Sequence, residues 1–318
     1  MVFLNIKNLV APYFTSVVGS NSPYDYPLNT TAALNAKQQG GFVSYTHPMV
    51  VGRTSDVFDS WLGAKEAPIV AALDGVDAID IMPSDDYSSE LWYRLLNCGF
   101  KIAPGAGTDV FTNWRGINEI PGVAREYVEV GAEMNWARWL ARYREGRVFV
   151  TNGPLLTFNI NGRPMGSEVT VPSGQTYRAR LSADVRVRDP VRVIEFVQNG
   201  QVVESREVDS GTTSIHVDKE VLVDRSCWFA VRVKGLPAQD GTPERAVPRA
   251  HSGPIYIRVG PAPTLVKEDI ELMLRWIDRL WAYIEERNNF GLEPNRQEAR
   301  KLFEQARQHY EAKLSQSQ

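Results

Sequence analysis

The hydrophobic period of this chain changes twice, and each change limits what the residues on either side can build. Up to about residue 146, short apolar runs alternate with amphipathic stretches. Between about 147 and 262, runs of strand length recur with turn residues between them, and beyond Pro263 apolar residues return at three- and four-residue steps. Strands alternating with helices imply a parallel sheet, closely spaced strands a sandwich, and the last pattern a pair of helices each with one buried stripe. The expected fold is therefore α/β plus all-β. Residues 1–146 are predicted as a partial (β/α) barrel, 147–262 as a β-sandwich and 263–318 as an antiparallel helical hairpin.

In the first region Val2, Leu4 and Ile6 alternate like a strand, and residues 30–39 read as a helix stopped by Gly40 and Gly41. GFVSYTHP and VDAIDIMP are strand-like runs that end in polar residues. SSELWYRLLNCG is a helix with Ser88 or Ser89 as N-cap and Gly99 as its stop, and KIAPGAGTD is a strand running into a glycine-rich turn. AREYVEV and AEMNWARWLARYREG follow as strand and helix, the latter stopped at Gly146. In the second region Asn199-Gly200 signals a two-residue hairpin, because a type I′ turn needs positive φ at both central residues. CWFAVRV places Cys227, Phe229, Val231 and Val233 on one face and Trp228, Ala230 and Arg232 on the other.

Charge and hydropathy exclude two classes of partner. With 35 basic and 38 acidic residues the net charge is −3, leaving no basic excess for a phosphate backbone, so no nucleic-acid partner is expected. No run of about 18 apolar residues is present, so no membrane span is expected. Cys98 and Cys227 fall in different predicted regions and are expected to remain free thiols. The apolar first twenty residues lack the basic start and small-residue cleavage site of a secretion signal and read as folded core.

Chemistry is expected where the strands of the first region end. Of the four histidines, His216 and His309 read as surface residues, whereas His251 leads from a polar loop into a strand. His47 ends an apolar strand and is followed by Pro48; Asp109 ends another, behind glycines that allow a sharp turn. A neutral imidazole and an ionised carboxylate at strand ends suit a divalent ion such as zinc, iron or manganese. Asp80, Asp85 and Asp86 lie on and beyond the VDAIDIMP strand as candidates for supporting or substrate-side roles. Arg125 and Tyr127 follow the Pro121-Gly122 turn as candidates for an anionic substrate, and His251 is a further candidate.

The segments GGFVSYTHP, ELWYRLLNCGFKIAPGAGTD and GRVFVTNGPLLTFNINGRPMG resemble the CehA/McbA branch of the PHP (polymerase and histidinol phosphatase) metallohydrolases. That resemblance covers nearly the whole chain. It implies a metal cluster at the carboxyl mouth of a distorted (β/α) barrel, where metal-bound hydroxide attacks an ester or phosphoester of a small molecule. His47 matches the His-Pro motif and Asp109 the Gly-Ser/Thr-Asp motif, which makes both of them metal ligands by resemblance. In many PHP proteins a histidine stands two residues after that aspartate; Phe111 stands there in this chain. The His-x-His segment that opens PHP domains has no counterpart before His47, and about 150 residues fall short of the roughly 250 of a complete eight-fold barrel. The expectation is the carboxyl-terminal portion of a longer hydrolase with an incomplete metal site. The alternative is a non-catalytic β-sandwich binding or scaffold protein carrying a relict barrel.

Overall fold

The computed structural model describes residues 1–12, 15–46, 48, 63–82, 86–108, 110, 121–236 and 247–317; at residues 86 and 87 it describes the backbone alone. His47, Asp85 and Asp109 lie outside the described residues. In chain order the elements are β1 (Val2–Leu4), α1 (Asn29–Gln38), β2 (Phe42–Tyr45), α2 (Ala67–Ala72), β3 (Ala78–Met82), α3 (Asp86–Asn97), β4 (Ala103–Ala106), β5 (Arg125–Val128) and α4 (Trp136–Arg144). Then follow β6 (Val148–Thr151), β7 (Leu155–Ile160), β8 (Arg163–Pro164), β9 (Glu168–Val171), β10 (Tyr177–Arg186), β11 (Val191–Gln198), β12 (Gln201–Glu207) and β13 (Ser214–Val223). The chain continues through β14 (Cys227–Gly235), β15 (Arg249–Ser252), β16 (Ile255–Val259), α5 (Lys267–Arg287) and α6 (Glu293–Leu314). This is a mixed α/β protein with several sheets and a carboxyl-terminal pair of helices, and no barrel closes among the described residues. None of the described helices is long and apolar enough to cross a membrane.

The chain divides into two compact units, Met1–Asp77 with Leu265–Gln318, and Ala78–Thr264. In the first, β1 pairs antiparallel with β2, and α1 begins against a partly buried carboxylate instead of a side-chain cap of its own. Glu66 accepts from Asn29 N at 3.0 Å, Thr30 N at 2.8 Å and the Thr30 hydroxyl at 2.7 Å, satisfying donors that the first helical turn leaves open. The helix stops at Gly40, whose φ of 80° a side chain would strain. Asp77 accepts from Val43 N at 2.8 Å and from Lys37 Nζ at 2.7 Å, tying the helix to the strand that follows it.

The terminal helices bury the predicted stripes. Ile270, Met273, Trp276 and Ile277 of α5, and Ala299, Phe303, Ala306 and Tyr310 of α6, are inside, and the Trp281 and Phe303 rings lie 5.2 Å apart. This pair packs on α2, every residue of which is buried. Trp276 Nε1 donates to Lys65 O at 3.0 Å, and the Tyr310 hydroxyl to Pro68 O at 3.1 Å. Such buried polar tips need partners, and here they find backbone carbonyls just before and at the start of α2.

In the second unit, β3, α3 and β4 form one strand–helix–strand step with parallel strands. Two sheets then face each other across a single apolar cluster. One runs β13-β10-β7-β8; the other runs β12-β11-β14-β15-β6-β5, with β16 joining β14 to β9. Leu156, Phe158, Leu181 and Val217 from the first meet Phe196, Phe229, Val231 and Ile257 from the second. Asn199 and Gly200 both have positive φ, 49° and 87°, as the hairpin requires.

Helix α3 explains why the outer face of β14 is apolar and buried at Trp228. Cys227, Phe229, Val231 and Val233 point into the core between the sheets, while Trp228, on the other face, is also fully buried. Its Nε1 donates to Asn97 Oδ1 at 2.8 Å, and Asn97 Nδ2 donates to Asn199 O at 3.2 Å. Trp92 and Tyr93 of α3 complete the contact, 6.3 and 5.2 Å from the Trp228 ring.

Two helix starts differ from expectation. The α3 helix begins at Asp86, ahead of the serines expected as caps, and Ser88 is inside it and buried. The α4 helix begins at Trp136, after Asn135, whose side chain accepts from Arg138 N at 2.8 Å.

Candidate functional site

Sequence reasoning placed the chemistry at the carboxyl ends of the parallel strands, and the described part of that edge belongs to β3, β4 and the start of β5. Asp80 stands inside β3 and is 7% exposed. Its Oδ2 comes within 3.0 Å of where a Cβ on Gly107 would sit, so the turn after β4 passes close over the carboxylate and a side chain at 107 would press on it. Gly107 N donates to Met82 O at 3.2 Å, holding the two strand ends together.

The next residue fastens this turn to β5. The Thr108 hydroxyl donates to Ala124 O at 3.4 Å and accepts from Ala124 N at 3.3 Å. Two residues on, Glu126 Oε1 accepts from Ala106 N at 2.9 Å and from the Tyr143 hydroxyl at 2.5 Å. Burial pushes the Glu126 carboxyl above the ordinary glutamate range, against the lowering effect of those two hydrogen bonds. Tyr143 is itself fixed in the core by an edge-on Trp139 ring at 5.3 Å.

The other candidates are distributed more widely. Arg125 and Tyr127 alternate with Glu126 along β5, which pairs antiparallel with β6. The Tyr127 ring stacks on Phe149 at 5.0 Å, and Arg125 Nε is buried without a hydrogen-bond partner. Asp86 opens α3, and its side chain is outside the described residues.

His251 sits on β15, locked among aromatics. Its Nε2 lies 2.5 Å from the Tyr93 hydroxyl and its Nδ1 2.9 Å from Ser252 O. A carbonyl can only accept, so Nδ1 carries the proton and Nε2 accepts from the tyrosine. Both nitrogens are thereby engaged, Nε2 in fastening α3 to the sheet and Nδ1 in holding the ring against its own strand. With Trp92 edge-on at 5.2 Å, this is the environment of a packing histidine.

Among the described residues no group of three or more His, Cys, Asp or Glu is placed to hold a metal ion. His47 and Asp109, the ligands expected from the sequence, lie outside the described residues, as does Asp85. Glu126, Tyr143 and Thr108 were not among the sequence candidates. The signal for Glu126 was its place between Arg125 and Tyr127, which by strand alternation puts it on the opposite face from both. Compared with known proteins, the chain matches no family model and no curated protein.

Proposed function

We propose that the chain acts as a hydrolase of the PHP type on ester or phosphoester bonds of small molecules. The observation that carries this reading is the buried Asp80 carboxylate beneath the Gly107 turn, at the carboxyl ends of the parallel pair β3 and β4. Parallel α/β sheets place their chemistry at that edge, since loops there vary while the strands fix their start. The β3–α3–β4 step is compatible with one segment of a partial (β/α) barrel. Arg125, with its buried Nε, is the candidate to meet the negative charge of a phosphoester. A divalent zinc, manganese or iron ion, with His47 and Asp109 as ligands, belongs to this reading through the sequence resemblance alone. When bound, such an ion supplies Lewis acidity and an activated water.

Turnover of chromogenic phosphomonoester, phosphodiester and carboxylester substrates tests the reading, with metal content measured after gel filtration. The expected result is hydrolysis supported by one of the three ions and reduced about a hundredfold or more in Asp109→Asn. Wild-type protein that retains no metal and turns over none of the substrates would overturn it in favour of a non-catalytic binding or scaffold protein built on the sandwich.

A further inference from the structure

The β4 strand pairs with β3 on one side, and among the described residues no strand pairs with its other side within this unit. An outer strand leaves backbone N–H groups that need partners. At Ala106 the partner is a carboxylate: Glu126 reaches across from β5, and one oxygen, Oε1, takes both the Ala106 N–H at 2.9 Å and the Tyr143 hydroxyl at 2.5 Å. The same tyrosine oxygen stands 3.3 Å from Pro104 O, so Tyr143 is close to both ends of the strand segment that Glu126 holds. Tyr143 is 1% exposed and cannot swing away. Thr108 repeats the arrangement two residues later with its paired bonds to Ala124. On its outer side the run from Ala106 to Thr108 is therefore set by side chains, while on its inner side the backbone bond from Gly107 N to Met82 O holds it to β3.

We infer that Glu126 is the positioning residue of the β4 edge, with Tyr143 behind it: its Oε1 fixes the course of Ala106, Gly107 and Thr108 over Asp80. The inference rests on the hydrolase reading for its consequence, since a turn displaced by 1 Å misplaces whatever that edge aligns with substrate. It rests on geometry alone for the positioning. A carboxylate is not required for that task. A glutamine carbonyl in the same place accepts the same two hydrogen bonds, whereas leucine accepts neither.

The test uses the full 318-residue chain as wild type, Glu126→Gln, Glu126→Leu and Tyr143→Phe. Hydrogen exchange is followed over residues 103–108, and kcat and KM are measured for p-nitrophenyl phosphate and p-nitrophenyl acetate in manganese-containing buffer. In Glu126→Leu, exchange at Ala106 is expected to quicken about tenfold or more and kcat to fall about tenfold with KM within about twofold; Glu126→Gln restores both to within about threefold. A purely structural loss would lower melting temperature without that split, and glutamine would have nothing specific to rescue. If Glu126→Leu does not fold, Tyr143→Phe decides on the same two readings, with about threefold effects expected. Unchanged exchange at Ala106 in a folded variant overturns the inference, as does a glutamine variant as impaired as leucine. Wild type that hydrolyses neither substrate, with exchange quickened in Glu126→Leu, overturns the hydrolase reading and leaves the positioning standing.

Discussion

The hydroxyl of Tyr93 donates to Nε2 of His251 across 2.5 Å, joining a helix and a strand 158 residues apart in sequence. Both side chains are buried, and the bond lies against Trp92 and Trp228. It fastens α3 to the outer face of β14 and β15, and it makes His251 part of the scaffold.

Removing the Tyr93 hydroxyl should therefore cost stability. Tyr93→Phe keeps the ring and deletes the donor to a buried acceptor, a change worth ~1–3 kcal/mol. Tyr127→Phe, at an exposed ring, should stay within ~0.5 kcal/mol of wild type. Urea unfolding of the two variants side by side checks this; equal midpoints would show that the buried bond contributes nothing net.

Glycines at two positions should respond differently to alanine. A Cβ on Gly253 would run into the carbonyl oxygens of Gly146 and Val148, neither of which can withdraw without breaking the turn, so Gly253→Ala should destabilise by ~3 kcal/mol or more. Gly174 has a φ of 76° but nothing within 4 Å of the added carbon, so its cost is confined to backbone strain of ~1–2 kcal/mol. The measurement is thermal melting, and the order of the two costs is the point at issue.

Stability should depend on pH through Glu126. Burial raises its folded pKa above the ordinary value of 4.5, so between those two values the native protein holds a proton that the unfolded chain has released. Stability from this group is fully present below the unfolded value and is lost as pH rises through the folded one. Glu126→Gln has no such titration. Its stability relative to wild type should increase from about pH 4 to pH 7 in urea titrations; a constant difference across that range would contradict the assignment.

The thiols should be inert while the fold is intact. Cys98 and Cys227 are both buried and in no disulfide, and burial pushes the Cys227 thiol up to about 12. Ellman's reagent should report essentially no reaction in buffer and two thiols in denaturant. A non-reducing mass lower by two protons would show a bridge instead.

The sequence made some of these relationships visible and hid others for identifiable reasons. The Asn199-Gly200 turn and the terminal stripes were legible because each is a local pattern tied to one backbone geometry. The α2 helix was not, since APIVAA is apolar on every side and a fully buried helix has no period to read. The β9 and β15 strands carry too few alternating apolar residues to signal themselves, and β9 finds its parallel partner β16 more than 80 residues later. At the candidate site, the polar strand ends could be read and Asp80 was singled out. The Gly107 close approach and the Glu126–Ala106 bond depend on which strands lie side by side, and no local pattern carries that.

The contacts of Lys65 and Pro68 with Trp276 and Tyr310 also set an order of assembly on the ribosome. Residues 78–264 form a unit whose whole sequence is available before α5 is made. The unit that contains residues 1–77 is incomplete until translation has passed Tyr310, because Lys65 and Pro68 meet Trp276 and Tyr310, encoded more than 200 residues downstream. Domains commonly mature from the amino terminus as they emerge. Residues 1–77 are thus made before residues 78–264 and finished after them, and until α5 and α6 emerge the apolar α2 residues lack the helices that cover them.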